Sequence, residues 1–217
     1  MSKICCIFGA GETDGAEVFL PADAFVIAAD AGLEYLRKAR ISPDLIVGDF
    51  DSLGRIPPGP NVVRHSPEKD DTDMLLAVRE ALARGAERLL LYGGLGGRLD
   101  HEQANLQTLA FIAERGAQGF LIGRGFICTV IRNARLAFAA ADSGTVSIFA
   151  CGGTAKGVCL DGLKYPLSGY TLTGAYPLGV SNAFSGRPAS VSVRDGALLV
   201  MWRARAFDPA FIARENI

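Results

Sequence analysis

Short apolar segments alternate with helix-length segments in the first part of the chain, up to about residue 132. The apolar segments are KICCIF, AFVIAAD, DLIVGD, NVVRH, RLLLYGG, GFLIG and FICTVI. Their hydrophobic residues are continuous rather than alternating with polar ones, which is typical of strands covered on both faces in a mostly parallel sheet. We therefore predict an N-terminal, mostly parallel α/β domain over residues 1–133.

Two of the intervening segments carry apolar residues at the 3.6-residue period of a helix. These residues are Leu75, Val78 and Leu82 in the first segment, and Leu106, Leu109, Ala110 and Ala113 in the second. Gly116 follows the second set, and glycine is common just past a helix end. We therefore predict one helix around Val78 and another that ends before Gly116.

Helical periodicity disappears beyond Ala134, where strand and turn signals replace it. ASVSVR and ALLVMW flank Asp195-Gly196, a dipeptide typical of a two-residue hairpin turn. RLAFAAA and TVSIFA flank Asp142-Ser143-Gly144 in a similar way. These patterns predict a C-terminal antiparallel β domain over residues 134–217.

Composition and charge narrow the class of partner. The chain has 217 residues, of which 49% are hydrophobic and 21% charged, and its formal net charge is −1. No run of Lys or Arg is longer than two, so no electrostatic footprint for nucleic acid or an anionic membrane is visible. We expect a small-molecule partner, with no nucleic acid and no membrane.

The N-terminus and the cysteines favour a cytoplasmic location. The first apolar run, Ile4 to Phe8, is too short to span a membrane and lacks the cleavage pattern of a secretory signal. The five cysteines are an odd number without metal-type CxxC spacing, which favours reduced thiols. Only two histidines are present, which are too few ligands to favour a histidine-based zinc site.

Asp49 and Asp51 follow the third apolar segment, in SPDLIVGDFDSLG. Spaced i, i+2, they project to the same side if the backbone is extended, and open α/β sheets bind ligands at the carboxyl ends of their strands. Neighbouring carboxylates repel each other, and Mg²⁺ shared with substrate phosphates would offset that repulsion. We therefore predict a Mg²⁺ ion that bridges protein to phosphate.

A second acidic cluster lies in PEKDDTDMLLAV, where Glu68, Asp70, Asp71 and Asp73 precede and enter a predicted helix. Acidic residues in a first turn favour the helix dipole, and an N-cap role for Asp70 or Asp71 explains one of them without any function. Four acids exceed what capping needs. The cluster is therefore a second candidate source of oxygen ligands.

The stretch YGGLGGRLDHEQANL is a candidate anion site, because glycines between a strand and a helix let backbone amides approach a phosphate. The glycines are Gly93, Gly94, Gly96 and Gly97. Arg98 adds a permanently charged planar fork, although glycine-rich turns also occur for steric reasons. Asp100 and Gln103 resemble a capping box, so Asp100 has a structural and a functional interpretation.

Two weaker signals complete the candidates. GAGETDG, residues 9–15, partly matches a dinucleotide fingerprint and equally suits a tight turn. In the second region Tyr165 offers an aromatic face to a cationic ring, and Ser181 and Asn182 offer hydrogen bonds to a base-like edge. The alternative is that Tyr165, Tyr170 and Tyr176 are half-buried sheet residues.

Taken together, the segments AADAGL, PDLIVGDFDSL, EKDDTDMLLAV, GGLGGRLDHEQANL, GLKYPL and GVSNAF resemble the thiamine pyrophosphokinase (thiamine diphosphokinase) family in order and approximate spacing. The resemblance implies an α/β catalytic domain followed by a β-sandwich that helps to bind thiamine. It implies Mg²⁺-dependent conversion of ATP and thiamine to AMP and thiamine diphosphate. It also implies a homodimer whose active sites lie at the subunit interface.

The resemblance also implies roles for particular residues. Asp49, Asp51 and Asp73 would hold the metal and pyrophosphate, and Arg98 the phosphates, with Asp100 beside substrate and Asp73 or Asp100 accepting the hydroxyl proton. The other nucleotide and phosphate contacts would be Asp30, Lys69, Asp70 and Gly94, and the thiamine contacts Tyr165, Ser181 and Asn182. Many relatives carry Trp where this chain has Tyr165, and some carry Gln where it has Lys69.

Two other functions remain open. LIVGDFDSL also fits a haloacid-dehalogenase-type phosphatase, with Asp49 as nucleophile and Asp51 as general acid. That motif normally lies on the first strand, whereas two predicted strands precede it here. A non-catalytic thiamine- or nucleotide-binding protein is the second alternative, although binding alone would not require the acidic set and Arg98.

Overall fold

The structure is a computed structural model that describes residues 3–11, 17–51, 54, 56–66, 68 and 70–216. The chain forms two compact units, Met1–Gly125 and Phe126–Ile217. The first combines helices with a parallel sheet and the second is rich in antiparallel strands, so the chain has an α/β unit followed by a β-rich unit.

The sheet of the first unit is entirely parallel, with strand order β6-β5-β1-β2-β3-β4. Its strands are β1 (Ile4–Phe8), β2 (Phe25–Ala29), β3 (Leu45–Gly48), β4 (Val62–Arg64), β5 (Arg88–Tyr92) and β6 (Gln118–Gly123). Every one coincides with a predicted apolar segment, apart from Gln118 at the start of β6. The continuous hydrophobicity reflects burial, because β1, β2, β5 and β6 are almost fully buried.

Among the residues that the structure describes, three helices belong to this unit: α1 (Gly32–Ala39), α2 (Asp73–Ala83) and α3 (Leu99–Glu114). Both periodic helices are confirmed, and α3 ends before Gly116 as expected. The buried face of α2 differs from the predicted one, because Val78 is buried whereas Leu75 and Leu82 are only half-buried. None of the described helices combines the length and apolar character that crossing a membrane requires.

Over its described residues, 126–216, the second unit contains eight strands joined in antiparallel pairs. They are β7 (Phe126–Arg132), β8 (Ala134–Phe138), β9 (Thr145–Asp161), β10 (Leu167–Leu172), β11 (Asn182–Ala183), β12 (Ala189–Ser192), β13 (Asp195–Arg203) and β14 (Ile212–Asn216). Strand β7 pairs with β13 along its whole length. It therefore belongs to the second unit and not to the predicted N-terminal domain over residues 1–133.

The predicted hairpin at Asp195-Gly196 is wrong. The pairings of the described strands join β12 to β8 and β9, and β13 to β7 and β9. The long strand β9 pairs with β13 through one half and with β12 near its other end, so it separates two strands that are neighbours in sequence. Gly196 instead exchanges hydrogen bonds with Asn133, donating to Oδ1 at 3.0 Å and accepting from its amide at 3.2 Å.

Cys5, Cys6 and Cys128 are buried free thiols. Burial raises the pKa of the Cys6 and Cys128 thiols to about 12. These two side chains therefore stay protonated at neutral pH and act as small apolar packing groups.

Candidate active site

A cavity of about 630 Å³ lies at the carboxyl ends of β1, β2, β3 and β5. Strand order reverses between β1 and β5, and such switch points are where open α/β sheets bind ligands. The cavity is lined by six of the predicted residues: Asp30, Asp49, Asp51, Asp73, Gly94 and Arg98. Asp70 and Asp100 are not among its lining residues, and Lys69 lies outside the described residues.

Carboxylate oxygens of Asp30, Asp49 and Asp51 lie within 4.8 Å of one another. Asp30 is buried, Asp49 half-buried and Asp51 exposed, so the group spans the cavity wall from interior to solvent. Three converging carboxylate oxygens suit a hard divalent cation such as Mg²⁺, which takes oxygen ligands. Asp73 lines the same cavity but is not part of this group, so its role as a ligand stays a prediction.

The spacing of Asp49 and Asp51 suggested that extended backbone projects both side chains to the same side. The structure has a tight turn there instead. Phe50 has φ 65°, a left-handed conformation that costs a non-glycine residue about 1–3 kcal/mol and is frequent at functional sites. Its side chain is buried, and the Asp51 amide donates a hydrogen bond to Asp49 Oδ1 at 3.2 Å. Burial of Phe50 and this tight turn together hold the two carboxylates close.

Asp30 reaches the group from the end of β2. Its amide donates to Val47 O at 2.8 Å, and its φ is 46°. A Cβ at Gly48 would lie 3.2 Å from the Asp30 Cα, so glycine lets the end of β3 pass close to Asp30. Asp44, the acidic residue just before β3, has a structural role, because its Oδ2 accepts a hydrogen bond from the Val26 amide at 2.8 Å.

Asp73 lies in the first turn of α2, directly after the residue that caps the helix. That N-cap is Thr72, whose hydroxyl accepts a hydrogen bond from the Leu75 amide at 3.2 Å. The alternative in which Asp70 or Asp71 caps the helix is therefore wrong. Asp71 forms an ion pair with Arg79 at 2.7 Å.

The glycine-rich turns after β1 and β5 pack directly against each other. The Gly9 amide donates to Tyr92 O at 2.8 Å, and the Gly11 amide donates to Gly93 O at 2.9 Å. A Cβ at Gly11 would lie 2.5 Å from Gly93 O. The described part of GAGETDG thus has a steric reason for its glycines, and residues 12–16 lie outside the described residues.

Arg98 and Asp100 form a two-point ion pair at the edge of the cavity. Arg98 Nε donates to Asp100 Oδ1 at 3.1 Å and Nη2 to Oδ2 at 2.6 Å. The Arg98 hydrogen bonds lower the pKa of the Asp100 carboxyl. The capping-box interpretation is wrong, because α3 begins at Leu99 with Arg98 at its N-cap and no side-chain cap.

Two residues that the sequence analysis missed hold the turn between β5 and α3. Glu102 Oε1 accepts a hydrogen bond from the Gly96 amide at 2.7 Å. Asn105 Nδ2 donates to Gly94 O at 2.8 Å, and its side chain is buried. Their i, i+3 spacing just after a glycine-rich turn is a sequence signal that would have identified them.

The three residues predicted to bind thiamine lie in the second unit. Buried Asn182 binds the backbone of Tyr165 at two points, because its Oδ1 accepts from the Tyr165 amide at 3.0 Å and its Nδ2 donates to Tyr165 O at 2.7 Å. Its Oδ1 also accepts from the Ala183 amide at 2.9 Å. Ser181 has φ 58°, and its amide donates to Ser147 Oγ at 3.0 Å. Asn182 therefore orients the segment that carries Tyr165.

Three tyrosines near this site are more exposed to solvent than half-buried sheet residues would be. The exposed fractions of Tyr165, Tyr170 and Tyr176 are 57%, 44% and 63%. Only Tyr170 lies in a strand, β10, so the alternative of half-buried sheet residues is wrong for Tyr165 and Tyr176. Lys164 Nζ lies 5.2 Å from the centre of the Tyr165 ring, which is within the distance of a cation–π contact.

Comparison with known proteins identifies related families and structures. The family model described as thiamin pyrophosphokinase, catalytic domain, matches residues 17–120. The model described as thiamin pyrophosphokinase, vitamin B1 binding domain, matches residues 135–198. Together the two matches cover most of both structural units.

Named relatives match over part of their length. The chain is 37% identical over 89 residues to thiamine pyrophosphokinase of Bacillus subtilis (strain 168), which covers 38% of this chain and 42% of that protein. It is 33% identical over 121 residues to thiamine pyrophosphokinase 2 of Arabidopsis thaliana, covering 49% and 42%. The chain thus spans less than half the length of these curated relatives.

Solved structures match over almost the whole chain. Thiamine pyrophosphokinase from Bacillus subtilis superposes with a TM-score of 0.81 at 24% identity, covering 93% of this chain and 99% of that one. Thiamin pyrophosphokinase from Geobacillus thermodenitrificans superposes with a TM-score of 0.79 at 26% identity, covering 96% and 99%. The fold of both units is therefore shared with these structures.

Proposed function

The chain belongs to the thiamin pyrophosphokinase family, and from this premise we propose that it transfers a pyrophosphoryl group from ATP to the hydroxyl of thiamine. The products are thiamine diphosphate and AMP. The observation that carries the proposal is the convergence of Asp30, Asp49 and Asp51 in a cavity that a glycine-rich turn and Arg98 also line. Carboxylates, exposed amides and a guanidinium are what a metal-bound triphosphate requires.

We assign the metal site to Mg²⁺ on Asp30, Asp49 and Asp51, with Asp73 close to it. When bound there, Mg²⁺ offsets negative charge on the phosphoryl oxygens. The chain's own residues position the reactants: the turn after β5 and Arg98 hold the phosphates in line with the thiamine hydroxyl. Asp70 and Lys69 would add outer contacts to the nucleotide.

Asp73 is the better candidate to accept the hydroxyl proton. The pKa of Asp100 is lowered by its hydrogen bonds with Arg98, and a lower pKa makes a carboxylate a weaker base. Asp100 instead orients the Arg98 guanidinium toward the phosphates. Asp73 lines the cavity, and we assign it the role of the base.

The second unit, predicted as a β-sandwich, supplies the thiamine contacts in this proposal. The accessible ring of Tyr165 stacks on the cationic heterocycle of thiamine, and Ser181 hydrogen-bonds its edge. Asn182 acts mainly by holding the Tyr165 backbone, because its amide group is already engaged there.

We further propose a cytoplasmic homodimer with active sites at the subunit interface. Leu178 and Val180 are exposed beside Tyr176 in the segment between β10 and β11. Neighbouring exposed apolar side chains are typical of a surface that a partner covers. A second copy of the chain would bury them while it brings Tyr165 to the cavity of its partner.

The direct test incubates purified protein with ATP, Mg²⁺ and thiamine and quantifies AMP and thiamine diphosphate, which should appear in equal amounts. The phosphatase alternative is not favoured, because both family models are those of thiamin pyrophosphokinase. Phosphate release that needs no nucleotide would revive it. Tight thiamine binding without AMP formation under any divalent metal would favour the binding-protein alternative.

A further inference from the structure

The turn between β5 and α3 depends on residues outside it for its shape. Gly93 and Gly96 both have positive φ, 68° and 89°. Glycine adopts such conformations without steric cost, but it loses more conformational freedom on folding than any other residue. A glycine-rich turn holds its backbone amides in position for an anion only if contacts with other residues fix its conformation. Preorganised donors bind better than donors that must be ordered by the ligand.

Helix α3 provides two contacts that fix the turn. The Gly96 amide donates to Glu102 Oε1 at 2.7 Å, and Asn105 Nδ2 donates to Gly94 O at 2.8 Å. Residues three apart lie on the same face of a helix. Helix α3 therefore binds the turn at two points on either side of Leu95, the Gly94 carbonyl and the Gly96 amide.

We propose that Glu102, together with Asn105, is a positioning residue that shapes the glycine-rich turn for phosphate binding. This inference rests on the proposed function, because it assumes that the turn binds the phosphates of the nucleotide. Glu102 lines the cavity, and its hydrogen bond to the site is the one from the Gly96 amide, so in this proposal it acts through the Gly96 backbone. The contact is one that a neutral acceptor of the same shape also makes.

A rival role for Glu102 uses the same hydrogen bond. The carboxylate would stand in for a substrate phosphate on the Gly96 amide and would have to leave when ATP binds. The side chain of Glu102 is only 23% exposed, against 63% for Asp100, and Arg124 Nη1 lies 3.9 Å from Oε1. A covered, partly neutralised carboxylate fits a permanent contact better than a temporary one.

The two roles predict opposite effects of removing the side chain. If Glu102 shapes the turn, Glu102→Ala raises the KM for ATP about tenfold, which corresponds to roughly 1.4 kcal/mol, with a smaller change in kcat. Glu102→Gln keeps the acceptor oxygen and stays within about twofold of the wild type. If Glu102 competes with phosphate, both substitutions lower the KM.

The experiment measures KM and kcat for the wild type, Glu102→Ala and Glu102→Gln, with Glu114→Ala as a matched control. Glu114 is the exposed last residue of the same helix, and its removal should leave both constants unchanged. Failure of Glu102→Gln to rescue a folded Glu102→Ala defect overturns the inference. So does an unchanged or lower KM in Glu102→Ala.

Two readouts without turnover separate this inference from the proposed function. Amide hydrogen exchange at Gly96 should be faster in Glu102→Ala and close to wild type in Glu102→Gln, and calorimetric titration with ADP and Mg²⁺ should show weaker binding only in Glu102→Ala. If the wild type makes no thiamine diphosphate, the proposed function fails while these measurements still decide the role of Glu102. Equal Gly96 exchange in all three proteins overturns the positioning role.

Discussion

Asp51 is the most exposed of the three converging carboxylates, so its substitution tests the cation site with the least disturbance of the interior. Asp51→Asn keeps the size and removes the charge. We expect turnover to fall by about 10²-fold or more, because the charge stabilisation that one such group provides is of that order. Steady-state assays at ordinary Mg²⁺ concentration measure the effect.

Asp23→Asn is the matched control for this prediction. Asp23 is an exposed aspartate of the same unit and does not line the cavity, so its loss should leave turnover within about twofold of the wild type. Both variants should unfold at the same urea concentration as the wild type. Near-normal activity of Asp51→Asn would remove Asp51 from the mechanism.

At this scale the sequence identified the acids but not their arrangement. Asp49 and Asp51 could be paired from their spacing, because they follow one strand. Asp30 follows a different strand, and its approach depends on the pairing of β2 with β3 and on the absence of a side chain at Gly48. Pattern reasoning cannot supply such a long-range contact, whereas the resemblance to a family could place Asp30 near the nucleotide.

The N-terminus of α2 ties an element boundary to the cavity. The Thr72 hydroxyl accepts from the Leu75 amide, and Thr72 and Asp73 both line the cavity. We expect Thr72→Ala to lower the free energy of unfolding by about 1 kcal/mol through loss of the cap. Urea denaturation monitored by circular dichroism measures it.

Thr72→Ser is the control for the cap, since serine keeps the hydroxyl and caps helices at least as well as threonine. It should match the wild type in stability. Equal stability of Thr72→Ala and Thr72→Ser would show that the hydrogen bond to Leu75 contributes nothing measurable.

Helix α1 begins so close to β1 that its first residue has no room for a side chain. A Cβ at Gly32 would lie 1.8 Å from Phe8 O, and backbone cannot rotate away as a side chain can. We expect Gly32→Ala to destabilise the protein by about 3 kcal/mol or more. Thermal and urea unfolding test this.

Gly97→Ala provides the contrast, because a Cβ at Gly97 meets nothing within 4 Å and its φ is not in the left-handed region. Its stability should stay within about 0.5 kcal/mol of the wild type. If Gly32→Ala were equally mild, the close approach of α1 to β1 would have to relax at little cost.

Elements were predictable where the signal was local. Continuous apolar runs marked every strand of the first unit, because burial on both faces leaves no polar positions. The Asp195-Gly196 hairpin failed because strand pairing is not local, and β9 lies between the two strands that the dipeptide joins in sequence. Helix α1 gave no clear signal, since it spans eight residues and its N-cap, Ala31, offers no side-chain hydrogen bond.

At the scale of the whole molecule, the candidate groups are divided between the two units. The carboxylates, the glycine-rich turn and Arg98 belong to the first unit, and Tyr165 with its Asn182 support belongs to the second. The proposed recognition of phosphate therefore draws on the first unit, and the proposed recognition of thiamine draws on the second. In the proposed homodimer, each active site takes one part from each subunit.

A shared site predicts complementation between two defective variants. Asp51→Asn lacks the acidic part and Tyr165→Ala lacks the thiamine stacking partner, so each alone should be nearly inactive at limiting thiamine. In a mixed dimer one site carries both defects and the other carries none. After random subunit exchange of equal amounts, activity should recover to about a quarter of the wild-type value, since half of the dimers are mixed and each has one intact site of two.

The measurement follows thiamine diphosphate formation after the two variants are mixed, with differently tagged subunits to prove that mixed dimers form. A mixture of Asp51→Asn with Glu102→Ala is the matched control, because both defects lie in the first unit and no pairing of the two subunits can then assemble an intact site. If sites are shared, every mixed dimer of this control has one site impaired at Asp51 and one impaired at Glu102. The activity of the mixture should therefore not exceed the mean activity of the two variants measured separately. Absence of recovery with Tyr165→Ala in proven mixed dimers would place each complete site within a single chain.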